Sequence, residues 1–60
     1  MKKVVLIFPD VRSMADFIIA EKVSRAEADS FEQTVIAAVT DDQIEIAKED
    51  YGAMLKAVLS

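Results

Sequence analysis

Carboxylates are the residues of this chain best placed to do chemistry. Asp41 and Glu45, and then Glu45 and Glu49, are four residues apart, so they lie on one face of a helix. Oxygen ligands of this kind can hold Ca²⁺ or Mg²⁺. A straight helix without a glycine-containing loop does not wrap ligands around a cation, however. We therefore interpret the acidic segment as a solvated helix face and predict no metal site. The carboxylates of this segment are Asp41, Asp42, Glu45, Glu49 and Asp50.

Hydroxyl and basic side chains suggest one further arrangement, a Ser-Lys pair built from Lys22 and either Ser13 or Ser24. No nucleophile-elbow or oxyanion pattern surrounds either serine. Serines at the start of a helix and of a strand are typical of turns. The chain also has no His and no Cys, so it has no imidazole base, thiol nucleophile or common zinc ligand. We expect a non-enzymatic protein with no catalytic residue, no metal site and no cofactor.

The charge balance bears on the partners of the chain. Seven basic residues against eleven acidic ones give a net charge of −4. Affinity for phosphate backbones and anionic lipids comes from basic groups, so neither nucleic acid nor a membrane is an expected partner. The N-terminal apolar run, Val4–Phe8, is shorter than the roughly 7–15 residues of a signal-peptide core. We predict a cytoplasmic location.

Length limits the fold to one domain, residues 1–60. A chain of this size hides only about 60% of its surface when it folds. Apolar burial and the entropy of ordering the chain then nearly cancel. Because disulfides and the usual metal ligands are absent, self-association is the expected source of additional stability.

The first half of the chain reads as strand, helix and strand. Lys2–Phe8 is a β-branched apolar run, typical of a strand covered on both faces, and Pro9 ends it. Asp10 is a candidate N-cap for a helix that continues to about Lys22. Ser24–Ser30 alternates between small and charged residues, which is the pattern of an exposed edge strand.

The second half begins with a turn at Phe31–Gln33 and a second apolar strand, Thr34–Val39. The segment Thr40–Gln43 then has a hydroxyl followed three residues later by an amide, which predicts a capping box and a helix start.

The end of this second helix depends on Gly52, the only glycine in the chain. Glycine is favoured just past a helix end and costs about 1 kcal/mol inside a helix. We therefore predict that the helix stops there and that Ala53–Leu59 forms a fourth strand. The alternative is a single helix over Asp41–Leu59, because Ala, Leu, Met and Lys favour helices.

The resulting order, β-α-β-β-α-β, predicts an α+β fold of the ferredoxin-like type. It consists of a four-stranded antiparallel sheet with two helices on one face. The first and third strands are central in this topology. They are also the two most apolar strands, which supports the assignment.

Three motifs resemble a group of very short uncharacterised bacterial proteins with this fold. They are Phe8-Pro9, Thr40–Ala47 and Tyr51-Gly52-Ala53. The resemblance implies the fold and no activity. In topology the chain is also similar to ACT domains, which sense small molecules, but the loop Pro9–Ser13 lacks the glycine that such domains usually carry there.

The polar residues of the strands predict which face is open. Lys3, Thr34 and Lys56 are expected to point away from the helices. Side chains alternate along a strand, so the residues next to these polar positions, such as Val4 and Leu55, are expected to lie beneath the helices. We predict a homodimer formed through the opposite, apolar face. The main functional expectation is thus an interaction or assembly module. The alternative is an ACT-like sensor with an unidentified small molecule at a subunit boundary. The predicted interface residues are Val5, Ile7, Ile36, Ala38, Met54 and Val58.

Overall fold

The computed structural model describes all 60 residues and contains four strands and two helices. The elements are β1 (Lys2–Ile7), α1 (Val11–Ala20), β2 (Glu27–Asp29), β3 (Thr34–Val39), α2 (Asp41–Asp50) and β4 (Met54–Val58). The strands form one antiparallel sheet in the order β2-β3-β1-β4. The ferredoxin-like prediction is confirmed, and the alternative of one long C-terminal helix is wrong.

Both helices begin at the predicted caps. The Asp10 side chain accepts a hydrogen bond from the Ser13 N–H at 2.7 Å. At α2, the Thr40 hydroxyl accepts from the Gln43 N–H at 3.1 Å, and the Gln43 side chain accepts from the Thr40 N–H at 3.0 Å. This capping box satisfies backbone donors that the first turn leaves unpaired.

The helices end in left-handed residues. Gly52 has φ +68° and follows the last turn of α2, and the N–H groups of Tyr51 and Ala53 both donate to the Ala47 carbonyl. Lys22 has φ +51° after α1, and the Val23 N–H donates to the Ile18 carbonyl. Each turn sends the chain back toward the sheet. Only the turn after α2 uses glycine, the residue type that favours this conformation.

The core lies between the helices and one face of the sheet. It contains eleven buried residues, all apolar, and no buried polar side chain. Phe17 of α1 is its centre, with its ring 5.4 Å from that of Phe8 and 5.5 Å from that of Tyr51. The core residues are Val4, Leu6, Phe8, Met14, Phe17, Val35, Ala37, Val39, Ile44, Ala47 and Ala53.

Strand β2 is shorter than the predicted Ser24–Ser30. Only Glu27–Asp29 pairs with β3, because Arg25 has φ +55° and leaves the extended conformation. At the other end, Asp29 Oδ1 accepts hydrogen bonds from the Phe31 and Glu32 N–H groups and starts the turn.

Strand β4 contains an irregularity that the sequence pattern does not predict. Leu55 lies opposite Leu6 and Ala57 lies opposite Val5, so Lys56 is an extra residue in β4. Such a bulge interrupts strict alternation. Val58 consequently lies opposite Val4, on the helix side of the sheet, and the prediction that it lies on the open face is wrong. Leu55 lies opposite the core residue Leu6 as expected but remains exposed.

Candidate interface on the open sheet face

The open face of the sheet is the surface that neither helix covers. Directly opposed residues of antiparallel strands share a face, so the register defines its members. Val5 pairs with Ile36 at its centre and has Ala57 on its other side. Ile7 lies between Thr34 and Met54 in the neighbouring row. We call this apolar set the open-face patch: Val5, Ile7, Ile36, Ala38, Met54 and Ala57.

Five of the six predicted interface residues belong to this patch, and Ala57 takes the place of Val58. No sequence signal points to Ala57, because the bulge at Lys56 involves neither glycine nor proline. In the two central strands, the polar residues Lys3 and Thr34 were sufficient to predict the open face. Lys3 lies opposite Ala38 and Thr34 lies opposite Ile7, both on that face.

Exposure is uneven across the open-face patch. Val5, Ile7 and Ile36 are partly buried, whereas Met54 at the edge is 68% exposed. The exposed apolar surface continues around β4, where Val58 is 55% and Leu59 is 52% exposed. The apolar surface of the monomer therefore extends from the centre of the sheet to its β4 edge.

Charged residues lie at the opposite border of the patch. Glu27 of β2 lies opposite Ile36, and Asp29 lies opposite Thr34, so both carboxylates belong to the open-face side of the β2 edge. Lys3 borders the patch at the start of β1. The arrangement is an uncharged centre with charges at its margin.

A groove of about 300 Å³ lies at this charged border. It is lined by Met1, Lys3, Ser24, Arg25, Glu27 and the β3 segment 36–38. The chain contains one ion pair within 4 Å, between Lys2 Nζ and Asp41 Oδ1 at 3.1 Å. Lys3, Arg25 and Glu27 thus have no ion-pair partner within the chain.

The carboxylates of the acidic segment are spread along the surface of α2. Its carboxylates lie on exposed positions of the helix, and no group of three acidic side chains is arranged to hold a metal ion. Asp41 is instead the partner of Lys2. Asp41 and Asp42 also lie in the first turn of α2, where negative charge is favourable.

The candidate Ser-Lys residues have structural positions. The hydrogen bond from the Ser13 N–H, followed by that from the Ser13 side chain, holds the pKa of Asp10 below its ordinary value of 3.8. Lys22 forms the turn after α1, and Ser24 lines the groove.

Comparison with known proteins adds no identity. No protein-family model, curated protein or solved structure matches this chain. No helix has the length and apolar character needed to cross a membrane.

Proposed function

We propose that this protein is a small non-enzymatic interaction module that forms a homodimer through the open-face patch. The observation that carries the proposal is the uneven covering of the sheet. Both helices pack on one side, while the central apolar residues of the other side, Val5 and Ile36, have no element above them. Contiguous apolar patches on soluble proteins commonly mark interfaces.

The chemistry of the surface supports association rather than catalysis. Protein interfaces have an apolar centre from which charges are depleted and a polar rim. The open-face patch has this pattern, with Glu27, Asp29 and Lys3 at its margin. The acidic residues considered as candidates for chemistry are dispersed along the exposed face of α2.

The size of the face limits the affinity. Four strands of six, three, six and five residues, about 4.8 Å apart, cover roughly 300 Å². Two such faces would bury on the order of 600 Å², below the 1,200–2,000 Å² of standard stable interfaces. We therefore expect a weak, micromolar dimer, with the exposed apolar residues of β4 extending the contact.

Other aspects of the proposal rest on the sequence. The resemblance to very short bacterial proteins carries no activity and adds nothing to the dimer argument. A cytoplasmic location, and the lack of a nucleic-acid or membrane partner, remain predictions from charge and composition.

Sedimentation equilibrium of the wild type and two lysine variants tests the dimer. Ile36→Lys places a charge at the centre of the patch, where desolvation opposes association. Lysine is preferable to aspartate here because Glu27 lies directly opposite and would repel a carboxylate. Ile19→Lys is the matched control, since Ile19 is also an exposed isoleucine but lies on α1.

We expect wild type and Ile19→Lys to approach the dimer mass over about 20–500 μM, and Ile36→Lys to remain a monomer with an unchanged circular dichroism spectrum. A wild type that is monomeric throughout this range contradicts the proposal. Equal dimerisation of both variants also contradicts it, because the contact would then lie elsewhere.

A further inference from the structure

We propose that the α1–β2 connection, residues 21–26, opens independently of the rest of the fold and that the side chain of Gln43 holds it closed. The connection joins the end of α1 to the edge strand β2 and contains no residue of the open-face patch. The inference therefore goes beyond the proposed dimer. Val23 and Ala26 pack against the core when the connection is closed, so opening uncovers apolar surface there.

The α1–β2 connection has few interactions of its own. None of its residues is fully buried. The backbone hydrogen bonds of the turns and loops that involve it are donated by Glu21, Lys22 and Val23, and all three return to carbonyls of α1. Segments with exposed backbone and few buried apolar contacts open at a lower free energy than the core of a protein.

Backbone strain also favours opening. Lys22 has φ +51° and Arg25 has φ +55°, a conformation that side chains of this kind seldom adopt and that persists where surrounding contacts fix it. The corresponding turn after α2 has Gly52 at this position and no such strain. The turn after α1 thus needs a stabilising contact that the turn after α2 does not need.

Gln43 provides this contact from the start of α2. Its Nε2 donates a hydrogen bond to the Glu21 carbonyl at 3.2 Å, in a partly buried position. Glu21 is the C-cap of α1, where carbonyl groups lack partners within the helix. The other side-chain hydrogen bonds of the chain join residues at most three positions apart. The bond from Gln43 is therefore the one side-chain hydrogen bond that connects distant segments.

The two ends of the Gln43 amide have separate roles. Oε1 accepts from the Thr40 N–H in the capping box, while Nε2 donates to Glu21. Glutamate also suits this position of a capping box, and its negative charge is favourable at the start of a helix. It has no donor, however, and its carboxylate would face the Glu21 carbonyl. Local helix rules thus predict that Gln43→Glu is neutral or stabilising, whereas the contact with Glu21 predicts faster opening.

Native-state hydrogen exchange followed by ¹H–¹⁵N NMR measures the opening at the amide of Val23, which donates to the Ile18 carbonyl at 3.0 Å. After correction for intrinsic rates, we expect this amide in the wild type to exchange at least about tenfold faster than the slowest amides of β1. Gln43→Glu should increase its rate by a further factor of about five to ten, the effect of losing one hydrogen bond.

The end of α2 provides the internal control. The amides of Tyr51 and Ala53 both donate to the Ala47 carbonyl, in a turn that Gln43 does not contact. Their exchange rates should change less than about twofold in Gln43→Glu, because the loss of one hydrogen bond is expected to act locally.

Two further substitutions separate the contact from its surroundings. Thr40→Val removes the capping hydroxyl but keeps the Gln43 amide, so it should speed exchange at the Gln43 N–H and change that of Val23 less than about twofold. Lys22→Gly relieves the positive φ. Combined with Gln43→Glu, it should return the corrected rate of Val23 to within about threefold of the wild type.

Three results would overturn the proposal. Exchange of Val23 at the rate of the slowest β1 amides in the wild type would show that the connection opens only when the whole chain unfolds. An unchanged rate at Val23 in Gln43→Glu would remove the role of Gln43. An equal increase at Val23, Tyr51 and Ala53 would do so too, because it reports a loss of global stability. A double variant that opens as fast as Gln43→Glu alone would overturn the contribution of strain at Lys22.

Discussion

Strands β1 and β3 each carry two rows of apolar residues, and the two rows have different surroundings. Val4 is completely buried beneath the helices, while the adjacent Val5 on the other face is partly exposed. Val35 and Ile36 differ in the same way. Apolar character alone therefore does not identify the core of a sheet with two apolar faces; the position of the helices does.

The two edges of the sheet differ as clearly as its faces. The β2 edge has three residues and two carboxylates, features that discourage pairing with another strand. Apart from Lys56, the β4 edge is apolar, and it exposes side chains on both faces of the sheet. The bulge and the charge at Lys56 are its main protection. The molecule thus presents its apolar surface toward one side, which is the side through which we expect contacts to extend.

The largest expected effect comes from placing the same charge on the two faces. Val35→Lys puts an ammonium group in the core, where burial without a partner costs several kcal/mol, so the chain should unfold. Ile36→Lys should stay folded, because its side chain is on the open face opposite Glu27. Circular dichroism and NMR dispersion measure the difference. A folded Val35→Lys together with an unfolded Ile36→Lys would reverse the assignment of the faces.

A smaller and more quantitative comparison uses the adjacent residues Val4 and Val5. Val4→Ala removes two buried carbon groups and should lower the free energy of unfolding by about 2 kcal/mol. Val5→Ala should cost less than about 1 kcal/mol, because this side chain is partly hydrated already. Urea denaturation in the Ile36→Lys background gives both values without a contribution from association.

The same two variants in the wild-type background then test the proposed dimer. If Val5 is buried by a second copy, the cost of Val5→Ala should increase with protein concentration while that of Val4→Ala stays constant. Equal costs for the two variants in the monomeric background would show that the faces are buried to the same extent.

The smallest effect concerns the turn that directs the chain from α2 into β4. Gly52→Ala should cost about 1 kcal/mol, because φ is +68° at this position and L-residues avoid that conformation. Space is not the cause, since an added Cβ would lie 3.5 Å from Pro9 Cγ, an ordinary contact. Lys22→Gly is the opposite control at the end of α1 and should stabilise the fold by up to about 1 kcal/mol. Thermal denaturation measures both, and a neutral Gly52→Ala would show that the turn is flexible enough to accept a side chain.

Local chemistry was enough to predict the order of elements and both helix starts. The helix caps at Asp10, Thr40 and Gln43 are hydrogen bonds between residues only three positions apart in the sequence. Gly52 ends α2 because its backbone adopts a positive φ. The polar residues Lys3 and Thr34 likewise identified the open face of the two central strands, because alternation within a regular strand is a local property.

The tertiary structure decided the features that depend on several segments at once. The bulge at Lys56 arises from how β4 meets β1, and it moved Val58 to the helix side and Ala57 to the open face. The pairing of β2 stops at Glu27 because Arg25 adopts a left-handed conformation, which also brings that residue to the groove with Lys3. Residues 3, 25 and 36 are distant in sequence, so no spacing rule could place them together; the antiparallel register and the chain reversals do so.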